Sequence, residues 1–513
     1  MAKLNVKNAV VQSAFIVTFL SVLERAFGFL YRVILSRKLG AEGMGHYYIT
    51  LSVFSVFLSV AVSGIPGTVS RLSIKYRAEG QNKKEGGVIS AGIFSVLLYG
   101  SVVCLLFVLL RKYLGFLFTD PRCVSLLLIL SPGLIFCSVY AVLRAKFWGN
   151  SRFTAFAVIE LIEEILLVAL GSVFLFFAND AFSGAKLITL ALTVASFCSF
   201  TMAIVLFKKS GGKLQNPKGT FKPLFASALP VTGMRVASSL TASLVAVVFP
   251  LRLIATGLSK QAAVSLYAAA SAMAAPLLFA PCTVIGSISL VLVPKLSGEY
   301  YNRNEKQFTK TLSSALNAAV LLAFLLFPLL ALGGKDLCLL LYKNEQAGVL
   351  VQRFALLVLP MTLALMSMSI LNSMGKEKIC MAFSVAGNVC MLLCALILPP
   401  YLGENALFLG YVFDYGVTAL LNIIYLHVRV SPLSGVKTFA LKNIAAGLPA
   451  VALGYFALPL FCFIFPRLFA VIVSVGTALV FQGILLITFG AIRFSWARKS
   501  TRKNRAFRLK NTA

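Results

Sequence analysis

Runs of about 18–25 apolar residues recur from one end of this chain to the other, separated by short polar segments. That recurrence leaves few folds open. Inside a bilayer every backbone N–H and C=O must be satisfied by the protein itself, so only helices and closed barrels can span it. A barrel would show short segments of alternating polarity, and none are present. The chain therefore reads as an all-α, polytopic membrane protein. Composition agrees: 59% of the 513 residues are hydrophobic and 12% charged, with mean hydropathy +0.92. A soluble domain has about 45–50% and about 25%.

Fourteen spans are expected, at about 9–38, 46–72, 87–111, 122–146, 153–177, 186–207, 222–254, 262–294, 309–333, 348–373, 379–400, 405–428, 440–464 and 468–493. Lys3 and Lys7 before the first apolar stretch resemble the start of a signal peptide. That stretch runs to about Leu35 without a small-x-small cleavage site, so it reads as the first span. No loop is long enough to hold a soluble domain.

The net charge of +31 is mostly a statement about topology. Of the 47 Lys and Arg, 31 fall in one set of alternate loops and the two termini, and 11 in the opposite set. The excess marks the cytoplasmic side, so both termini are expected there. The tail "RFSWARKSTRKNRAFRLK" lies beside the last span and suits anionic lipid headgroups. Nucleic acid is not an expected partner.

The chain also resembles itself at an offset of 224. Val69, Leu72, Ser73 and Tyr76 meet Val293, Leu296, Ser297 and Tyr300, and Arg71 meets Lys295. Gly149 and Gly375 form a second anchor at nearly the same offset. Two six-span lobes in parallel pseudo-repeat are therefore expected, 1–208 and 222–430. Two extra spans (438–493) and the basic tail (494–513) follow. In transporters built this way the substrate path lies between the repeats.

Charges inside spans point to that path. Arg25 and Arg32 are two helical turns apart on one face of span 1, with Gly28 on the same stripe. If the helix ends near Gly40, Arg25 lies about 22 Å and Arg32 about 12 Å from that end. An arginine at mid-membrane costs about 2.5–3.5 kcal/mol, so it should face a polar cavity or a partner. Arg235 in span 7 lies about 20 Å in from Lys222, just after Pro230 and Gly233, which invite a broken helix. Arg71, after "SGIPGTVS" with its Gly64 and Pro66, and Arg252 read equally as cavity residues or as interfacial anchors. Gly28, Gly64, Pro66, Pro230 and Gly233 are the candidate hinges.

The acids within spans are Glu24, the trio Glu160, Glu163 and Glu164, and Asp414. The trio shares one face of span 5 at i, i+3, i+4. Three carboxylates cannot all stay ionised in lipid. Either they pair with span 1 or they form a cation or proton site that drives transport. Arginine forks match phosphate and carboxylate oxygens, so the expected ligand is an anion, a phosphate or pyrophosphate head foremost.

The ten cysteines are scattered, with Cys390 and Cys394 on one helix face and no CxxC; His46 and His427 are the two histidines. No metal site, disulfide framework, P-loop or catalytic constellation is indicated, and nothing calls for a cofactor.

The stretches "SGIPGTVSRLSIKYRAEG" at 63–80, "GMRVASSL…VVFPLRLIATGLS" at 233–259 and "APLLFAPCTVIGSISLVLVPKLSGEY" at 275–300 resemble the stage V sporulation protein B branch of the polysaccharide exporters. That branch belongs to the multidrug/oligosaccharidyl-lipid/polysaccharide exporter superfamily, which includes the lipid II flippases. The resemblance implies fourteen spans, alternating access, and movement of an undecaprenyl-pyrophosphate-linked sugar from the inner to the outer leaflet. It places Arg25 and Arg32 as cavity arginines, Arg71 in the Ser-Arg after Gly-Ile-Pro, and Glu163 at a glutamate usual in span 5. Leu167 stands where an arginine is common, and Val245 where an acid is expected.

The leading expectation is thus a flippase for a lipid-linked, peptidoglycan-type cell-wall precursor, and not an enzyme. Arg25, Arg32, Arg71, Arg235 and Arg252 would bind its pyrophosphate. Cell-wall synthesis enzymes would be its protein partners, and the forespore membrane is one location. The alternatives are a cation-coupled multidrug exporter of the same superfamily, a membrane enzyme acting on prenyl-linked sugars, and a non-transporting scaffold for wall assembly.

Overall fold

The computed structural model describes residues 2–149, 153–430 and 433–491. The basic tail expected to meet lipid headgroups lies outside the described residues. Among those described, the chain is helical from end to end, with no strand.

The helices follow the apolar runs. They are α1 (Ala2–Val62), α2 (Gly64–Ala78), α3 (Asn82–Leu109), α4 (Cys123–Gly149), α5 (Phe153–Leu175), α6 (Ala181–Lys209) and α7 (Phe221–Ile254). Then come α8 (Lys260–Ala268), a π-helical turn (Ala269–Ala274) and α9 (Ala275–Tyr301). The remainder are α10 (Glu305–Tyr342), α11 (Glu345–Arg353), α12 (Val358–Ser373), α13 (Glu377–Ile397), α14 (Pro399–Leu402), α15 (Asn405–Arg429), α16 (Ser434–Ile464) and α17 (Arg467–Thr488). Twelve helices among the described residues are long and apolar enough to cross a membrane. Fourteen were expected. Spans 1 and 2 run on as one helix through a single non-helical residue, Gly40 (φ 64°, ψ −172°). Span 5 carries three glutamates, too many charges for its length to qualify on composition.

Span 7 differs from expectation. α7 is one helix through Pro230 and Gly233, with no break. Proline and glycine are tolerated inside membrane helices where neighbours re-satisfy the freed backbone groups, and α1 and α2 both pack along α7. The break lies in span 2 instead, where α1 stops at Val62 and α2 starts at Gly64. α1 is helical through Gly28.

Contacts divide the helices into two units. The first holds residues up to Pro276, with Leu340–Ala347 and Met381–Asp414. The second holds Leu277–Leu339, Gly348–Cys380 and the described residues from Tyr415 onward. This grouping by packing interleaves along the chain and so is a different division from the lobes expected at 208 and 222.

In the first unit Val69, Val88, Val142, Phe156, Phe207 and Leu224 form a core shared by α2 to α7. Lipid tails are as apolar as leucine, so helices associate here through close packing, which small residues permit. Gly64 shows this best: a Cβ there would overlap the Ala228 carbonyl oxygen of α7.

In the second unit Ile285, Leu312, Met366, Ile370 and Leu426 join α9, α10, α12 and α15. α16 and α17 form a hairpin in which Ser474 Oγ donates to Gly454 O at 2.6 Å. Arg467 Nε donates to Asp336 Oδ1 at 2.6 Å and ties α17 to α10. Two pairs of positions related by the 224-residue offset have like environments. Leu72 belongs to the first core and Leu296 to the second, with Tyr76 and Tyr300 packed against them.

Candidate functional site

The charged residues of spans 1 and 5 meet. α1 packs along α5, and the carboxylate of Glu164 reaches α1 where Gly28 leaves room. A Cβ on Gly28 would stand 2.9 Å from Glu164 Oε1. Glu24 lies in the field of Glu160, Arg25, Glu163 and Arg144, and Glu164 in that of Glu24, Glu163 and Arg32. Gly28 thus sits at a close approach inside a continuous helix.

Arg144 completes the cluster. Its Nη1 donates to Glu160 Oε1 of α5. Glu163 is held by hydroxyls: Ser196 Oγ of α6 donates to its Oε1 at 3.2 Å, and Cys137 Sγ of α4 donates to Ser196 Oγ at 3.5 Å. Tyr31 and Tyr140 bury their hydroxyls nearby. The signal for Arg144 in the sequence is its place near the end of α4, five residues before Gly149, against seven from Phe153 at the start of α5 to Glu160.

The cluster holds four carboxylates (Glu24, Glu160, Glu163, Glu164) and three guanidinium groups (Arg25, Arg32, Arg144). Taken alone it is not cationic. The positive excess comes from neighbouring helices. α7, which packs on α1 and α2, carries Arg235 and Arg252; α2 carries Arg71. Arg25, Arg32, Arg71 and Arg235 are exposed, and Arg252 is half-buried. Among the described residues none of the five makes an ion pair. No described contact joins Arg235 or Arg252 to the α1–α5 cluster. Asp414 in α15 is also partly buried and without an ion-pair partner among the described residues. Val245, where the family resemblance led us to expect an acid, is buried in α7.

Beside these helices lies an apolar recess of about 380 Å³ between α1, α2, α3 and α7. Ile65, Phe94, Leu98, Phe225 and Leu229 line it, and Thr232, one turn before Arg235, closes one end. Its lining suits hydrocarbon.

A second polar cluster was not legible in the sequence. His46, buried in α1, has Nδ1 3.0 Å from Glu42 O and Nε2 3.1 Å from Asp120 Oδ2. Arg122 Nε donates to Asp120 Oδ2 at 2.8 Å, and its guanidinium lies over the Phe182 ring of α6. Thr119 Oγ1 donates to Val247 O of α7, and Gln261 of α8 to Glu42. Burial pushes the Asp120 carboxyl up, but hydrogen bonds from Arg122 and His46 outweigh it and hold it down at about 2. The bond to Asp120 in turn pushes the Arg122 guanidinium up. The cluster fastens α1, α6, α7 and α8 together near the Gly40 kink.

Comparison with known proteins shows what the chain is similar to. The profile of the family described as "Polysaccharide biosynthesis protein" matches residues 10–298. Stage V sporulation protein B of Bacillus subtilis (strain 168) is 24% identical over 365 residues, 68% of this chain and 70% of that protein. A structure of lipid II flippase MurJ in an inward closed conformation superposes with TM-score 0.73 at 15% identity, covering 92% of this chain and 99% of that one. An inward-facing MATE family multidrug transporter of the MOP superfamily gives TM-score 0.68 at 13% identity, covering 81% and 95%. The fold is that of these transporters.

Proposed function

The chain belongs to the polysaccharide biosynthesis protein family, and from that premise we propose that it is a flippase for a lipid-linked, anionic cell-wall precursor of the peptidoglycan type. The observation that carries this reading is the set of unpaired arginines on three adjoining helices, α1, α2 and α7. A guanidinium at mid-span is costly against lipid. It becomes favourable against a pyrophosphate, whose oxygens accept its paired N–H groups.

In this mechanism the head group enters sideways from the cytoplasmic leaflet, and Arg25, Arg32 and Arg235 neutralise its pyrophosphate. Arg71 and Arg252 extend the path towards the two membrane faces. The apolar recess beside α7 offers the prenyl chain a place next to Arg235, while the rest of the chain stays in lipid. Glu24 of α1 and Glu164 of α5 lie in the field of Arg25 and Arg32 and offset part of their charge when no head group is bound. Rocking of two six-span lobes, with fourteen spans in all and both termini cytoplasmic, then exposes the head group on the outer side. The break at Gly64 and Pro66 serves as one pivot. Nothing covalent happens to the substrate, and no enzyme activity is invoked. In a sporulating cell the precursor would feed the spore cortex from the forespore membrane, alongside cell-wall synthesis enzymes.

The fold shared with a MATE transporter supports a second reading, a cation-coupled multidrug exporter. The α5 carboxylates and Asp414 would then be its coupling groups. The excess of unpaired arginine disfavours a cationic drug, and Val245 removes one acid from α7. Outer-leaflet precursor measured after depletion of the protein separates the two. The flippase reading requires that precursor to fall with unchanged drug resistance.

A further inference from the structure

A cavity of about 740 Å³ opens between α9 and α10 in the second unit, and no residue assigned to the candidate site above lines it. Its lining is graded along both helices. On α9, Ile288 and Leu292 lead to Lys295; on α10, Lys310, Gln307, Thr311 and Ser314 lead to Ala315 and Ala318. Lys295 lies seven residues from Ile288, about 10 Å along the axis, and Gln307 eleven from Ala318, about 16 Å. The polar ends of both helices meet at the turn through 302–304, on the side that the positive-inside count marks as cytoplasmic. The cavity is therefore cationic at the membrane surface and apolar one to two turns deeper.

We propose that this cavity binds an anionic phospholipid, its phosphate between Lys295 and Lys310 and an acyl chain against Ile288, Leu292, Ala315 and Ala318. The lysines come from different helices, so one phosphate between them bridges α9 and α10. Among the described residues one carboxylate is paired with these lysines: Glu299 Oε1 lies 4.0 Å from Lys295 Nζ and accepts from Thr311 Oγ1 at 3.1 Å. It offsets part of one lysine. Lys310 is exposed and without an ion-pair partner among the described residues. The Ser314 and Gln307 side chains add donors for the phosphate or a glycerol head. A zwitterionic lipid would present its own cation to two lysines, so the site selects for net negative charge.

The experiment is native mass spectrometry of the full chain in detergent, titrated with phosphatidylglycerol or phosphatidylcholine. Wild type should retain phosphatidylglycerol preferentially. Near a membrane surface each lysine is worth about fivefold in lipid affinity, so K295Q/K310Q should lose about 25-fold of that preference. K295R/K310R should keep it. A318F, which fills the apolar end, should weaken both lipids alike. Thermal unfolding of each variant confirms that it is folded. Equal retention of the two lipids by wild type, or an undiminished preference in K295Q/K310Q, overturns the proposal. So does displacement of phosphatidylglycerol by an equimolar prenyl phosphate, which would assign the cavity to the substrate's own lipid.

Discussion

Arg144 of α4 donates to Glu160 of α5, the helix that follows it in the chain. One of the three α5 carboxylates is thereby spoken for, which bears on how the other two act on span 1. With Arg144 as counter-ion to Glu160, the summed field of the α5 carboxylates at Arg25 and Arg32 is less negative than the sequence alone suggests.

That pairing is testable by itself. Arg144→Ala leaves Glu160 without its partner in a half-buried site. Because both groups retain some exposure, screening reduces the cost to about 1–2 kcal/mol. The midpoint of thermal unfolding should drop, and R144A/E160Q should recover part of the loss.

Two glycines of span 2 should respond in opposite ways. Gly64→Ala drives a methyl into the backbone of α7, which cannot yield as a side-chain end can. Overpacking of this kind costs about 1–3 kcal/mol. Gly67→Ala, three residues on, meets nothing within 4 Å and should leave unfolding and transport unchanged. Equal effects from the two would remove the close approach of α2 and α7 from the account.

Gly28→Ala tests whether Glu164 reaches span 1. The new methyl would stand 2.9 Å from Glu164 Oε1. That oxygen ends a flexible side chain, so the protein should fold normally while the carboxylate moves. Transport should fall severalfold, and Gly28→Leu should abolish it. Unchanged transport in Gly28→Leu would show that this face of α1 is not part of the path.

The Asp120 cluster sets an acid limit. The folded carboxyl titrates at about 2, below the usual value of about 3.9. A depressed carboxylate adds stability that is fully present above the unfolded value and is lost as pH falls towards the folded one. Thermal stability in detergent should therefore decline through this group from about pH 4 down to about 2, and Asp120→Asn should flatten that part of the profile.

What the sequence made legible follows from physics that is local. The spans were readable because lipid requires long apolar helices, and the shared face of Glu160, Glu163 and Glu164 because helical period fixes it. Contacts across long separations were not. His46 and Asp120 are 74 residues apart, and no pattern in either segment announces their hydrogen bond. Arg144 was hidden because a charge near a span end counts as topology until the neighbouring helix is in place. Pro230 and Gly233 suggested a break, yet neighbouring helices keep α7 whole. Gly40, read as a boundary, proved to be one kinked residue between helical segments.

The central claim is that the unpaired arginines of α1 bind the head group of a lipid-linked precursor. The most direct measurement is outer-leaflet lipid II in vesicles reconstituted with the protein, with Arg25→Ala and Arg32→Ala each compared with wild type at matched protein level. Our account predicts a loss of at least tenfold for each, about one charge-assisted bidentate contact. Full transport by both variants would contradict it.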